Sequence, residues 1–224
     1  MVRSLIPLSL AAVLGFALIC STAIRSGHAD VPVAETAAEI RPLVAGDTAP
    51  RFIVETVHGE AFDFDPQNLD KPAIILVFRG GWCPYCNMYL SDMRYVIPRI
   101  RAMGVDVLFL SGDRPELLYE SLEMQAKEDI EDLDYTILSD ANAQAAIALG
   151  IAFKSNARTE NYVKGKGDGY RESSMERHGV LPVPAVFAVD RDGTIAFTYV
   201  NPDYKVRLPA DELLGAARSI AAAD

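Results

Sequence analysis

The chain of 224 residues is long enough for one ordinary domain with its own core, and half of its residues are hydrophobic, which excludes a disordered chain. Its 31 acidic residues outnumber 21 basic ones, for a net charge of −10. That balance excludes a polyanion binder and predicts a surface that repels nucleic acid and anionic lipid.

The N-terminus differs from the rest. Arg3 is followed by an apolar run from Leu5 to Ile24, and then by the small-residue stretch Gly27-His28-Ala29. This pattern reads as a secretory signal peptide over residues 1–29, cleaved after Ala29. An uncleaved anchor is the alternative, since the 20 residues of the run nearly span a bilayer. Ile19 before Cys20 is not the small residue that lipoprotein cleavage wants. Export, to a bacterial periplasm, is therefore expected, with membrane association only if residues 1–29 are retained. Removing them takes away Arg3 and Arg25 and no acid, leaving 19 basic residues against 31 acidic ones, a net charge of −12. The mature chain keeps two cysteines, Cys83 and Cys86.

Residues 30–42, polar and alanine-rich, read as a linker, and 43–224 as one domain. Phe52 to Val57 and Ala61 to Phe64 alternate around His58-Gly59, a hairpin pattern. Ala73 to Phe78 is a continuous apolar run suited to a strand buried on both faces. Met88, Met93, Val96, Ile97, Ile100 and Met103 recur at helical spacing, with a kink expected at Pro98 and a stop at Gly104. Val105 to Leu110 and Tyr135 to Leu138 read as further strands. Between them, Asp113 as cap and Pro115 in the first turn predict an acidic helix to about Asp129. Asp140 is expected to cap a short helix ending at Gly150. Residues 154–178 carry no clear period and read as an inserted loop. Pro184 to Val189 and Thr194 to Val200 flank Arg191-Asp192-Gly193, a second hairpin, and Pro209-Ala210-Asp211 opens a final helix. The fold class is α/β, a mixed sheet with helices on both faces. Ligands of such sheets bind at the carboxyl ends of the strands, where Cys83 falls.

Trp82-Cys83-Pro84-Tyr85-Cys86 can be a metal clip, a structural staple or a working thiol pair. A staple closing so short a loop gains little chain entropy. A metal site needs three or four ligands, and the chain offers only His28, His58 and His178 beside the sulfurs. A thiol pair fits the context. Cys83 after a strand and before a helix meets unpaired N–H groups and the positive end of the helix dipole, which favour thiolate. That placement predicts Cys83 as the more acidic thiol. Cys86 lies one turn on, within the Cα separation of roughly 5–6 Å that a disulfide accepts. Trp82 is either plain core or a shield that keeps water from the nucleophile. Arg79 is either solvated or a cationic donor to the site.

The cysteine motif resembles the active site of the thioredoxin superfamily. Gly46 to Phe52, Phe78-Arg79-Gly80-Gly81, Leu181 to Asp190 and Asn201-Pro202-Asp203-Tyr204 resemble the alkyl hydroperoxide reductase/thiol-specific antioxidant family, in its peroxiredoxin-like branch. The resemblance runs from about Leu43 to the C-terminus. It implies a thioredoxin-like fold and an antioxidant thiol peroxidase that reduces hydrogen peroxide or organic hydroperoxides without cofactor or metal. Cys83 would attack, Cys86 would resolve, and a thioredoxin-like protein would supply the reducing thiols. It also implies a cis Pro184 facing the cysteines and holding substrate, as Trp82 and Arg79 would. One departure stands out. The family carries Thr or Ser three residues before its nucleophile, to align the peroxide; here that residue is Gly80, and Leu76 replaces an upstream proline. This keeps a protein thiol–disulfide oxidoreductase as the alternative, with a non-enzymatic metal-binding module behind it.

Overall fold

The computed structural model describes residues 32–221. The signal peptide expected over residues 1–29 lies outside them.

Three parallel strands form the centre: β3 (Ala73–Phe78), β4 (Asp106–Ser111) and β5 (Thr136–Ser139). The hairpin of β1 (Phe52–Glu55) and β2 (Ala61–Phe64) adds antiparallel to β5. On the far side, β8 (Ala185–Val189) runs antiparallel to β3 and pairs with β9 (Ile195–Val200). The seven-stranded order is β2-β1-β5-β4-β3-β8-β9. A separate two-stranded piece joins β6 (Ala152–Lys154) to β7 (Val180–Pro182).

Strand β3 shows why its run is continuous. Every residue in it is buried, but alternate side chains enter different cores. Ile74, Leu76 and Phe78 join a core beneath α1 (Pro84–Asp92), α2 (Ile97–Arg101) and α7 (Ala210–Ala221). Ala73, Ile75 and Val77 join a second core on the other face, with α4 (Gln144–Ala148). The predicted helix after the cysteines is divided by a tight turn at Met93–Tyr95, and Pro98 sits in the first turn of α2, where its missing N–H has no helical partner.

Three expectations are corrected. The linker over residues 30–42 is docked from Ala34 onward. The Ala34 N–H donates to the Ala152 carbonyl and its own carbonyl accepts from the Lys154 N–H, and Arg41 and Leu43 donate to the carbonyls of Gly150 and Leu149 at 3.1 and 3.2 Å. A Cβ on Gly150 would lie 2.0 Å from the Arg41 carbonyl oxygen, so glycine is what permits that approach. The single acidic helix after Asp113 is instead a turn at Pro115–Leu117 followed by α3 (Met124–Ile130), because Asp113 turns away from the helix start. The inserted loop contains α5 (Ala157–Lys164) and α6 (Ser174–His178). Each buries few apolar residues, so no period showed; caps by Asn156 and Ser173 define their starts. The Asp140 expectation holds in substance: its carboxylate accepts from the N–H groups of Ala145 and Ala146 at 2.9 and 2.8 Å.

Candidate active site

Strands β3, β4 and β5 end level, with Phe78 opposite Ser111 and Ser111 opposite Ser139. The loops leaving β3 and β4 therefore meet, and the first carries the cysteines. Cys83 is the N-cap of α1 with Pro84 in the first turn, and its carbonyl accepts from the N–H groups of Cys86 and Asn87 at 3.0 and 3.1 Å. Cys86 lies within the helix. Both sulfurs are reduced, and both residues are 1 % exposed.

The loop before Cys83 is held from both sides. The Gly81 N–H donates to Asp113 Oδ2 at 2.8 Å, and Asn87 Nδ2 donates to the Gly81 and Cys83 carbonyls at 2.6 and 3.2 Å. Both clamps reach the segment before α3: Ser121 Oγ donates to Asp113 Oδ2 at 3.1 Å, and the Glu123 N–H to Asn87 Oδ1 at 2.9 Å. Burial pushes the Asp113 carboxyl up to about 6 against these hydrogen bonds.

Gly80 has a physical reason. Its φ is +151°, which L side chains rarely adopt, and a Cβ there would meet Trp82 Nε1 at 2.3 Å and Asp113 Oδ1 at 2.7 Å. The indole occupies the space that a hydroxyl-bearing side chain would need.

Charge is distributed unlike the sequence expectation. The two thiols are hydrogen-bonded to each other. Burial alone would raise Cys86, but the Cys83 hydrogen bond, the Arg207 guanidinium and Arg79 outweigh it and lower the Cys86 thiol to about 6. Cys83, donating to Cys86 and buried, is pushed up. The guanidinium groups thus favour charge on Cys86, whereas helix position alone favoured Cys83. Against the burial of Cys86, the hydrogen bond from Cys83 acts first and the Arg207 guanidinium second. Access is divided the other way. Cys83 lines a cavity of about 660 Å³, together with Arg79, Trp82, Tyr85 and Tyr204, whereas Cys86 does not reach it.

Arg79 and Trp82 both line this cavity. The Arg79 guanidinium lies over the Trp82 and Tyr204 rings, 5.0 and 4.4 Å from their centroids, and its Nε has no hydrogen-bond partner. Trp82 is both buried and a wall of the cavity. The cis geometry expected at Pro184 is not found. No peptide bond among the described residues is cis. The Val183 N–H donates to the Ile151 carbonyl at 2.9 Å, and an extended trans link carries the chain from β7 into β8. Pro184 instead lines an adjoining cavity of about 310 Å³ that shares Arg79 and Tyr204 with the first. Sequence reasoning missed Arg207, Asn87 and the site role of Asp113. Arg207 stands 121 residues from Cys86 and carries no motif; only the chain path past β9 brings it in. Among the described residues no cluster of three or more His, Cys, Asp or Glu is placed to hold a metal.

Two cysteines at the start of a helix, at the carboxyl end of a central parallel strand in a mixed sheet covered on both faces, define a protein of thioredoxin-like architecture. The chain belongs to the AhpC/TSA family, whose family model matches residues 45–198. It is 27% identical over 178 residues to Peroxiredoxin Bcp of Escherichia coli K12, covering 78% of this chain and 96% of that one. It is 20% identical over 150 residues to the thiol-disulfide oxidoreductase ResA of Bacillus thuringiensis subsp. konkukian, covering 67% of this chain and 66% of that one. In fold it is similar to the peroxiredoxin-like protein of Aquifex aeolicus, with TM-score 0.59, 19% identity, and coverage of 80% of this chain and 89% of that one. This is a thiol-dependent redox enzyme, of the peroxidase or thiol–disulfide oxidoreductase kind.

Proposed function

We propose that the chain is an exported peroxide reductase working through a Cys83/Cys86 dithiol cycle. The observation that carries this reading is the placement of Cys83: 1 % exposed, yet lining a cavity of about 660 Å³. A small peroxide can enter such a cavity directly, whereas a protein partner, be it disulfide substrate or reductant, reaches the sulfurs only when the site opens.

The residues suggest the steps. Cys83 attacks one peroxide oxygen as its proton passes to the Cys86 thiolate. The O–O bond breaks, Cys83 becomes a sulfenic acid, and the departing alkoxide or hydroxide takes a proton from water. Arg79 offers unpartnered donor capacity to the charge that develops there, in place of the hydroxyl that Gly80 lacks. The Cys86 sulfur then attacks the sulfenic sulfur, and its proton leaves with the hydroxide as water. The resulting disulfide is reopened by two electrons from an external dithiol, as a thioredoxin-like protein would supply. Export rests on Gly27-His28-Ala29 behind the apolar run, and a mature chain beginning at Asp30 in the periplasmic fraction is the result expected by mass spectrometry.

Protein thiol–disulfide exchange is the second reading, favoured by the missing hydroxyl at Gly80. Cys86→Ser separates the two, because it traps the first covalent product. With stoichiometric hydrogen peroxide, at a pH high enough to ionise Cys83 without the Cys86 thiolate as base, the variant is expected to gain one oxygen on Cys83, far faster than a free thiol of similar pKa. Accumulation of mixed disulfides with exported proteins, and no rate advantage with peroxide, would establish the second reading instead.

A further inference from the structure

The Cys83 cavity inverts the charge of the molecule around it. The chain carries a net −10, but this cavity is lined by three cations, Arg79, Arg158 and Lys205, against the single acid Asp203. Arg158 and Lys205 are exposed and form no salt bridge among the described residues. Arg79 is 7 % exposed, and its guanidinium is faced by the Trp82 and Tyr204 rings rather than by a carboxylate. A buried cation is tolerated where a counter-charge is near. In the reduced protein a thiolate at the cysteine pair can supply it: Arg207 Nη2 donates to Cys86 Sγ at 3.5 Å, and Arg79 favours the charged form of both sulfurs. Joining the sulfurs removes it. The disulfide form then leaves the Arg79 guanidinium in the wall of an aromatic cavity with no thiolate against it.

We infer that this cavity is a binding site for small organic anions, carboxylates with a compact apolar or aromatic body, and that it holds them more tightly when Cys83 and Cys86 are joined. Arg158 and Lys205 attract the carboxylate at the rim. Tyr162 and Tyr204 offer ring surface to the body, and the adjoining cavity beyond Arg79 and Tyr204 adds the apolar walls of Phe153, Val183 and Pro184. The acidic surface elsewhere makes this the favourable point of approach for an anion. The inference rests on the Cys83/Cys86 cycle proposed above for its redox dependence, but not for the preference for charge.

Trp82 is the only tryptophan, so its fluorescence reports the site directly. The probes are 3-phenylpropionate and its neutral amide, titrated into the full mature chain in both redox forms, the disulfide being made with diamide and verified by mass. The acid is expected to bind the disulfide form at least about tenfold more tightly than the amide does, with the preference shrinking as salt rises. It is expected to bind the reduced form more weakly than the disulfide form. The double variant Arg158→Glu, Lys205→Glu is expected to abolish the preference. Should that variant fail to fold, the acid-to-amide ratio of the unaltered chain still decides. Equal affinity for acid and amide, or tighter acid binding to the reduced form, overturns the inference. A chain that binds the acid selectively but does not react with peroxide overturns the peroxidase reading and leaves the site standing. Two half-reactions identify the source of the anion. Salt-sensitive reopening of the disulfide by 3-mercaptopropionate, against 2-mercaptoethanol as control, marks an anionic thiol reductant. Salt-sensitive oxidation by a carboxylated cumene hydroperoxide, against cumene hydroperoxide, marks an anionic peroxide.

Discussion

Arg207 Nη2 donates to Cys86 Sγ at 3.5 Å, joining the segment before α7 to the first turn of the cysteine helix. The same guanidinium donates to the Tyr204 and Val206 carbonyls, so it is held in place rather than swinging free. A fixed cation beside a buried sulfur is what offsets the burial that would otherwise keep that thiol protonated.

Replacing Arg207 by Gln removes that charge. The thiolate of the pair, now formed at about pH 6, is expected to form roughly 1–2 pH units higher. The pH profile of iodoacetamide alkylation reads this: its rate climbs as pH rises through the thiol pKa, and the climb should move upward. Arg207→Lys should recover part of the shift. An unchanged profile in the Gln variant would mean that Arg79 and the Cys83 hydrogen bond suffice.

Charge and access fall on different sulfurs, and access should decide labelling. Limiting N-ethylmaleimide at neutral pH is expected to modify Cys83, the sulfur lining the cavity, although the resting charge lies with Cys86. Peptide mapping distinguishes the two. Modification of Cys86 first would exchange the roles of attacking and resolving sulfur.

Restoring a hydroxyl at residue 80 should not improve the enzyme. Gly80→Thr places a β-branched side chain at φ +151° and drives its Cβ into Trp82 Nε1. The expected cost is roughly 2–4 kcal/mol, read as a lower thermal midpoint, with slower turnover. A Gly80→Thr variant that is stable and faster with peroxide would show that the Trp82 ring yields easily.

The buried Asp113 carboxyl makes stability depend on pH in a definite sense. Its pKa is raised to about 6 from an ordinary value of 3.8, so the folded state holds its proton more tightly than the unfolded chain does. Its contribution is fully present below about pH 4 and declines as pH rises through 6. Relative to Asp113→Asn, the unaltered protein should therefore lose on the order of 2–3 kcal/mol between those limits and change little above pH 7. Urea unfolding of both proteins across pH 4–8 measures the difference. A constant difference would place the carboxyl in contact with water.

Much of the architecture was legible because its signals are local. A six-residue apolar run can bury both faces only as an interior strand, and β3 is one. The hairpins announced themselves through His58-Gly59 and Asp192-Gly193, and Cys83 followed from a strand meeting a first-turn proline. Helices α5 and α6 escaped because each buries few apolar side chains and leans on a cap instead. Asp113 read as a helix cap because aspartate before proline usually is one; a partner 32 residues back, the Gly81 N–H, claimed it instead.

The sequence by itself determined that two thiols would stand together at the mouth of a central strand, since spacing and helix geometry leave them nowhere else to go. Which sulfur holds the charge and which meets the ligand was decided only by the tertiary structure. Charge depends on guanidinium groups arriving from other parts of the chain, Arg79 and Arg207, and a coulombic interaction reads distance in space, not in sequence. Access depends on how Trp82, Tyr204 and α5 close around Cys83, which is a matter of packing.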